Sequence, residues 1–128
     1  MDFNIEVDFV MKYVKKEYRD RLLFELQSKK HREKAISRFC HSSQQILIDC
    51  FTKCTMSDFQ KLFCLETNSM DKCYLITNDV NDGKLLLLRE AIEYCQKSYM
   101  AVILICSKFV VIREEFERAE PLLLISNT

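Results

Sequence analysis

Apolar residues recur at helical spacing along the first quarter of the chain. The stripe consists of Val10, Val14, Tyr18, Leu22 and Leu26. The lysines and arginines between these positions fall on other faces, as in a helix with one buried side. The pattern predicts one helix, which ends near residues 28–30, and a second helix with Ser28 as its N-cap. The buried face predicted for the second helix consists of Ala35, Ile36, Phe39 and Cys40.

The segment between residues 42 and 55 allows more than one interpretation. Residues 46–48 could end a helix, whereas residues 50–52 could form a short strand. Thr55 or Ser57 could then act as the N-cap of a short helix. The apolar residues of that helix would be Phe59, Leu62 and Phe63.

The second half of the chain changes from helical spacing to short apolar runs. Strands are predicted at residues 73–77, 101–106, 109–113 and 122–125. The run at residues 101–106 is apolar throughout, as expected of a central strand covered on both faces. Asn81 or Asp82 is predicted to cap a helix that continues to about Lys97. The stripe of that helix consists of Leu85, Leu88, Ile92 and Cys95.

This order of elements predicts a single α+β domain over residues 1–128. N-terminal helices are followed by a strand-helix-strand-strand-strand unit in one layered domain. The chain has one glycine and one proline, which disfavours β-sandwiches and barrels because their tight turns draw on glycine. A single glycine also excludes the glycine-rich loops that bind phosphates.

The chain is expected to be a cytoplasmic protein with no membrane partner. Its longest apolar run, at residues 100–106, is far shorter than the ~20 residues of a membrane-spanning helix. The first six residues are acidic and polar, where a signal peptide would be basic and then apolar. The seven cysteines are an odd number and lie among apolar residues. We therefore expect all seven to be reduced and at least four to be buried.

The sequence gives little support for zinc binding or for a nucleophilic cysteine. Cys40, His41, Cys50 and Cys54 lie within fifteen residues, but the closely spaced ligand pairs of structural zinc sites are absent. Cys40 and His41 are adjacent, so a helix would point them about 100° apart and leave the thiol without a base. The sequence predicts no metal site, no catalytic residue and no cofactor.

Two groups of acidic residues are the strongest candidates for function. One group follows the first predicted strand and consists of Asp79 and Asp82. The other lies near the C-terminus and consists of Glu114, Glu115, Glu117 and Glu120, with Phe116 among them. A metal-dependent nuclease would need such acids beside a lysine, and Lys84 or Lys108 would have to serve. Acidic side chains around an aromatic residue suit the binding of a basic protein better.

The N-terminal half offers an alternative function. Residues 12–38 contain ten lysines and arginines against four acidic residues, although the whole chain has zero net charge and a pI near 6.7. A nucleic-acid-binding regulatory protein could use these helices to contact phosphates. Dedicated nucleic-acid-binding domains carry a net basic charge, so we expect nucleic acid not to be the partner.

Four segments resemble small bacterial proteins of toxin-immunity loci. They are DRLLFEL at residues 20–26, KAISRFCH at 34–41, VVIREEFE at 110–117 and EPLL at 120–123. The nearest group is the immunity proteins of contact-dependent growth-inhibition systems. The resemblance implies a cytoplasmic antidote that binds a cognate toxin domain, often a nuclease, and blocks its active site. Such proteins share no defining motif, so the predicted partner-binding residues are the two acidic groups and Phe116.

Overall fold

The computed structural model describes residues 1–41, 43–63, 70–116 and 122–126. The helices within these ranges are α1 (Phe3–Tyr13), α2 (Lys16–Gln27), α3 (Arg32–His41), α4 (Met56–Phe63) and α5 (Leu88–Lys97). The strands are β1 (Phe51–Cys54), β2 (Lys72–Thr77), β3 (Leu85–Leu87), β4 (Val102–Ile105), β5 (Val110–Arg113) and β6 (Leu123–Ser126). The strands form one antiparallel sheet in the order β1-β6-β5-β4-β2-β3. The prediction of an α+β fold is confirmed.

Both faces of the sheet are covered because its central strands alternate between two apolar cores. One core joins the sheet to α1, α2 and α3, and includes Tyr74, Ile76, Ile103 and Ile112. The other joins the opposite face to α4 and α5, and includes Cys73, Leu75, Leu104 and Val111. Neighbouring residues of a strand point to opposite faces, so each central strand contributes to both cores. No helix among the described residues is long and apolar enough to span a membrane.

The prediction of a single N-terminal helix from the apolar stripe is wrong, because α1 and α2 are separate helices. Val14 has an extended backbone, with φ −99° and ψ 138°, and forms an isolated bridge with Ile46. The amide of Lys15 donates to the carbonyl of Gln45 at 2.8 Å. These contacts come from residues about thirty positions away, and they replace the hydrogen bonds of a continuous helix. Ser28 is the C-cap of α2 and not the N-cap of α3.

The predicted helix after residue 81 also begins later than expected. A turn through Gly83, at φ 81°, leads into β3, which pairs with β2, and α5 starts only at Leu88. The side chain of Asp82 does not cap a helix. It accepts hydrogen bonds from Arg32 and from the amide of Thr77.

The prediction that all seven cysteines are reduced is wrong for one pair. Cys73 and Cys106 form a disulfide, with Cα atoms 4.3 Å apart. Tyr74 pairs with Ile105 in antiparallel register. Cys73 precedes Tyr74 and Cys106 follows Ile105, so the two cysteines face each other across the pair of strands β2 and β4. Periodicity indicates which face of a strand is buried, but it does not show which strand lies beside it.

The other described cysteines are free thiols, in Cys40, Cys50, Cys54 and Cys95. Cys40, Cys73 and Cys95 are buried, and Cys64 lies outside the described residues, so the predicted minimum of four buried cysteines stays a prediction. Burial raises the pKa of the Cys40 thiol well above its ordinary value. Burial likewise raises the pKa of Cys95 to about 12, although the positive charge of Arg113 opposes the shift.

A buried network of charges ties the helical layer to the sheet. Arg32, at the start of α3, donates to both carboxylate oxygens of Glu6 on α1, at 2.7 and 2.9 Å. It also donates to both oxygens of Asp82, at 2.7 and 3.0 Å, and to the carbonyl of Leu26 at 2.9 Å. The hydroxyl of Tyr74 on β2 donates to Glu6 at 2.6 Å. Four segments of the chain therefore meet at one guanidinium group.

The members of this network hold each other in the charged and hydrogen-bonding forms. Burial lowers the pKa of Arg32, but its hydrogen bonds to Glu6 and Asp82 and their negative charges outweigh burial and raise that pKa. Burial and the hydrogen bond to Glu6 raise the pKa of Tyr74, which keeps its hydroxyl protonated as a donor. No buried polar side-chain atom of the described residues lacks a hydrogen-bond partner.

Replacing Arg32 by methionine should strongly destabilise the protein. The change leaves the carboxylate of Glu6, which is fully buried, without its cation, and breaking a buried ion pair in this way costs about 3 kcal/mol or more. The matched control is Arg38→Met, which removes the exposed ion pair with Glu25 and should cost less than about 1 kcal/mol. Urea unfolding followed by circular dichroism measures both changes. Equal losses in the two variants would show that the network does not stabilise the fold.

Burial predicts a wide difference in reactivity among the free thiols. Iodoacetamide reacts with thiolates, so at about pH 8 the folded protein should be alkylated at Cys95 at least about 100 times more slowly than at the partly exposed Cys50. Cys40 should resemble Cys95, and in urea all three should react alike. Time-resolved peptide mass mapping measures the rates. Rapid alkylation of Cys40 in the folded protein would contradict its assignment as an unreactive core thiol.

Candidate functional site

The end of β5 is held in place by a buried arginine. Arg113 is 1% exposed, and its guanidinium donates to the backbone carbonyls of Cys95, Ser98 and Met100, the latter two at 2.7 and 2.5 Å. These carbonyls lie at and after the C-terminus of α5, where backbone acceptors have no partner within the helix. Arg113 therefore fixes the loop at residues 98–100 beside the residues that follow β5.

Phe116 lies against this loop and forms an aromatic pair. Its amide donates to the carbonyl of Tyr99 at 3.1 Å, and the centroids of the two rings are 4.7 Å apart. The guanidinium of Arg113 lies 5.3 Å from the centroid of the Phe116 ring, within range of a cation–π interaction. Phe116 is half-buried, while Tyr99 is 66% and Met100 is 40% exposed. The exposed apolar surface at this position thus belongs chiefly to the loop, and not to the predicted Phe116.

The two described glutamates of the C-terminal acidic group directly precede Phe116 in sequence. Glu115 is exposed. Glu114 is partly exposed, and its carboxylate lies 3.1 Å from Nδ1 of His41 at the end of α3. Glu117 and Glu120 lie outside the described residues. We call Tyr99, Met100, Glu114, Glu115 and Phe116 the acidic–aromatic surface.

A groove adjoins this surface and shares Glu114 with it. The groove has a cavity volume of about 380 Å³. Its polar lining includes His41, Lys53 and Glu114, and its apolar lining includes Leu122 and Leu124. Cys40 also borders it, but this thiol has a raised pKa and its sulfur lies 3.9 Å from the carbonyl oxygen of Val102. The described residues that line the groove thus combine both signs of charge, and the Cys40 thiol among them is not activated.

Asp79 and Asp82 lie at the same end of the sheet but are already engaged. Thr77 pairs with Val102, which in turn pairs with Arg113, so β2 and β5 end together, two strand spacings or roughly 10 Å apart. Asp79 accepts hydrogen bonds from the hydroxyl of Tyr94 at 2.5 Å and from a backbone amide at 2.8 Å. Asp82 is bound to Arg32. These carboxylates organise the turn after β2 and differ in this respect from Glu115.

Three of the ten basic residues between positions 12 and 38 form hydrogen bonds or ion pairs within the protein. Arg32 is buried in the charge network. Arg19 donates to the carbonyl of Val14 at 2.8 Å, and Arg38 is paired with Glu25 at 2.7 Å. Three of the cations proposed for phosphate contacts are therefore committed within the protein.

Several residues of this site were missed by the sequence analysis. Met100 was counted only in the apolar run at residues 100–106, and Tyr99 was not considered, because the exposure of their loop depends on Arg113 from a distant strand. His41 was considered only as a zinc ligand and as a base for Cys40, and Lys53 was not considered. A signal for the exposed loop was the Ser-Tyr-Met sequence at residues 98–100, which lies between the polar end of α5 and the apolar run of β4.

The described residues contain no group of three or more His, Cys, Asp or Glu side chains that could hold a metal ion. Comparisons with models of protein families, with curated proteins and with solved structures found no match. The resemblance to immunity proteins rests on the four sequence segments, one of which contains Glu114, Glu115 and Phe116. The function is therefore argued from the chemistry of the acidic–aromatic surface.

Proposed function

We propose that this chain is an immunity protein that binds a cognate toxin domain and blocks its active site. The observation that carries the proposal is the acidic–aromatic surface at the end of β5, in which Glu114 and Glu115 directly precede Phe116, and the ring of Phe116 packs against that of the exposed Tyr99. Aromatic side chains supply much of the binding energy at protein interfaces, and surrounding charges guide the encounter. The resemblance to toxin-immunity proteins supports the same conclusion.

The rigidity of the surface favours tight binding. Arg113 holds the loop at residues 98–100 through backbone carbonyls, and the ring of Phe116 packs against that of Tyr99. Side chains and loops that are already ordered lose less conformational entropy on association. Tyr99 can therefore act as a preformed anchor, with Phe116 as its support.

The charge of the surface favours a basic partner, and a nuclease domain meets this requirement. A nuclease that binds phosphates carries cations in its groove, and carboxylates of an inhibitor can take the positions of those phosphates. Glu115 is exposed and available for such contacts, and Glu114 can exchange its contact with His41 for one with a toxin cation. The antidote would act in the cytoplasm, would catalyse no reaction and would need no cofactor.

Reversing the charge of the surface should abolish protection from the toxin. In the double variant Glu114→Lys, Glu115→Lys, like charges would face the basic partner, so affinity should fall by several kcal/mol, or at least about 100-fold. Tyr99→Ala should weaken binding about tenfold or more through loss of the anchor. The measurements are growth rescue on co-expression with a candidate toxin domain from an adjacent gene, and calorimetric titration of the purified pair.

The matched control is the triple variant Lys12→Gln, Lys15→Gln, Lys16→Gln, which removes positive charge from the end of α1 and the start of α2. It should retain nearly full affinity, and circular dichroism should show that every variant is folded. Full protection by the charge-reversed variant would show that the surface is not the interface. A sub-micromolar complex with DNA or RNA at physiological salt, weakened by the lysine changes, would instead support the nucleic-acid-binding function.

A further inference from the structure

The groove beside the acidic–aromatic surface lies where the helical layer leaves part of the sheet uncovered. Helix α3 contacts β2, β4 and β5, and its last residues, 39–41, form one wall of the groove. Ile112, Leu124 and Lys53 lie in one row beneath it, because Leu124 pairs with Ile112 on one side and with Lys53 on the other. Paired residues point to the same face of a sheet, and here Leu124 is half-buried and Lys53 is exposed. The floor of the groove therefore includes the part of this face that β6 and β1 supply.

Opposite charges lie at the two ends of the groove. Lys53 lies two strands, or roughly 10 Å, from Ile112, and Glu114 follows Ile112 by two residues, or roughly 7 Å. The backbone positions of Lys53 and Glu114 are thus roughly 12 Å apart. His41 holds the carboxylate of Glu114 at 3.1 Å, whereas Lys53 forms no ion pair with the described residues. The groove presents an anion, an apolar floor and a cation in that order.

An apolar side chain fits between the two charges. The groove has a volume of about 380 Å³, which falls within the range of sites that bind small ligands, about 300–1,000 Å³. Phe39, Ile46 and Ile112 line it and are buried, while Leu122 lines it and is 54% exposed. A side chain inserted here would remove apolar surface of both partners from water, which favours association.

We propose that this groove receives a short extended segment of the toxin that carries a basic, an apolar and an acidic side chain at alternate positions. The inference rests on the proposed function, because Glu114 belongs both to the groove and to the acidic–aromatic surface, so that one partner would cover both. Alternate residues of an extended chain point to one side, and positions i and i+4 are about 13 Å apart. The basic side chain would thus pair with Glu114 and the acidic one with Lys53. A segment with two like charges would place one of them against a like charge of the groove.

The first test uses capped peptides with the protein alone, so it does not depend on the toxin. The probe is Arg-Thr-Leu-Thr-Asp, and the controls are Arg-Thr-Leu-Thr-Arg and Asp-Thr-Leu-Thr-Asp. The probe should bind at least about fivefold more tightly than either control, and nuclear magnetic resonance titration should shift the amides of Lys53 and Leu124. No binding, equal affinities for the three peptides, or shifts confined to other surfaces would overturn the proposal.

Charge reversal at one end of the groove should change which peptide is preferred. In the variant Lys53→Glu both ends are acidic, so Arg-Thr-Leu-Thr-Arg should become the tightest of the three peptides, by about fivefold. The matched control Lys72→Glu reverses an exposed lysine on β2 that does not line the groove, and it should keep the preference of the wild-type protein. An unchanged preference in Lys53→Glu would contradict the proposed contact.

The second test asks whether the toxin is the occupant. Lys53→Glu and Leu122→Ser should each weaken calorimetric binding of the toxin domain about fivefold or more. The controls Lys72→Glu and Leu85→Ser should not, since Leu85 is 56% exposed and lies outside the groove. Circular dichroism checks that each variant is folded.

The two proposals fail in different ways. Toxin affinity unchanged by both groove variants would overturn this inference and leave the proposed function intact. A wild-type protein that binds the probe peptide but not the toxin domain would contradict the proposed function, and with it the toxin as the occupant of the groove.

Discussion

The buried pairing of Arg32 with Glu6 and Asp82 is the constraint on which the arrangement of the helices over the sheet depends. Glu6 is completely removed from water, and a buried carboxylate is tolerated only with a cation and further donors beside it. Arg32 and the hydroxyl of Tyr74 supply these donors. Any shift of α1 or α3 across the sheet would break several charged hydrogen bonds together, so the network selects one packing among many that apolar contacts alone would allow.

A second buried arginine organises the end of the sheet where the proposed interface lies. Arg113 donates to backbone carbonyls, whereas Arg32 donates chiefly to carboxylates. Arg113 therefore orders a loop, and Arg32 neutralises acidic side chains. Arg32 holds the carboxylate of Asp82 in an ion pair, while Arg113 supports an exposed loop that carries Tyr99. One buried arginine thus pairs with a predicted partner-binding residue, Asp82. The other holds in place the loop that carries the aromatic part of the proposed interface.

Local periodicity predicts those elements whose form is decided by their own residues. The apolar face of α3 and the apolar runs of β2, β4 and β5 were predicted because they follow from the spacing of apolar residues within each segment. The break at Val14 and the strand β3 were missed, since each depends on pairing with a distant segment. Asp82 was assigned to a helix cap because its partner, Arg32, lies fifty residues away. The disulfide was missed because register between strands is not encoded in the spacing of apolar residues.

The same distinction applies to the candidate site. The exposure of Glu115 could be predicted from its polar surroundings, whereas the pairing of Phe116 with Tyr99 could not. Hydrogen exchange of the protein alone and in complex with the toxin domain tests most directly whether this surface is the interface. We predict that binding slows exchange of the amides at residues 99–100 and 114–116 and leaves those of α1 and α2 unchanged. Protection confined to α1 and α2, with no change around Tyr99, would contradict the account.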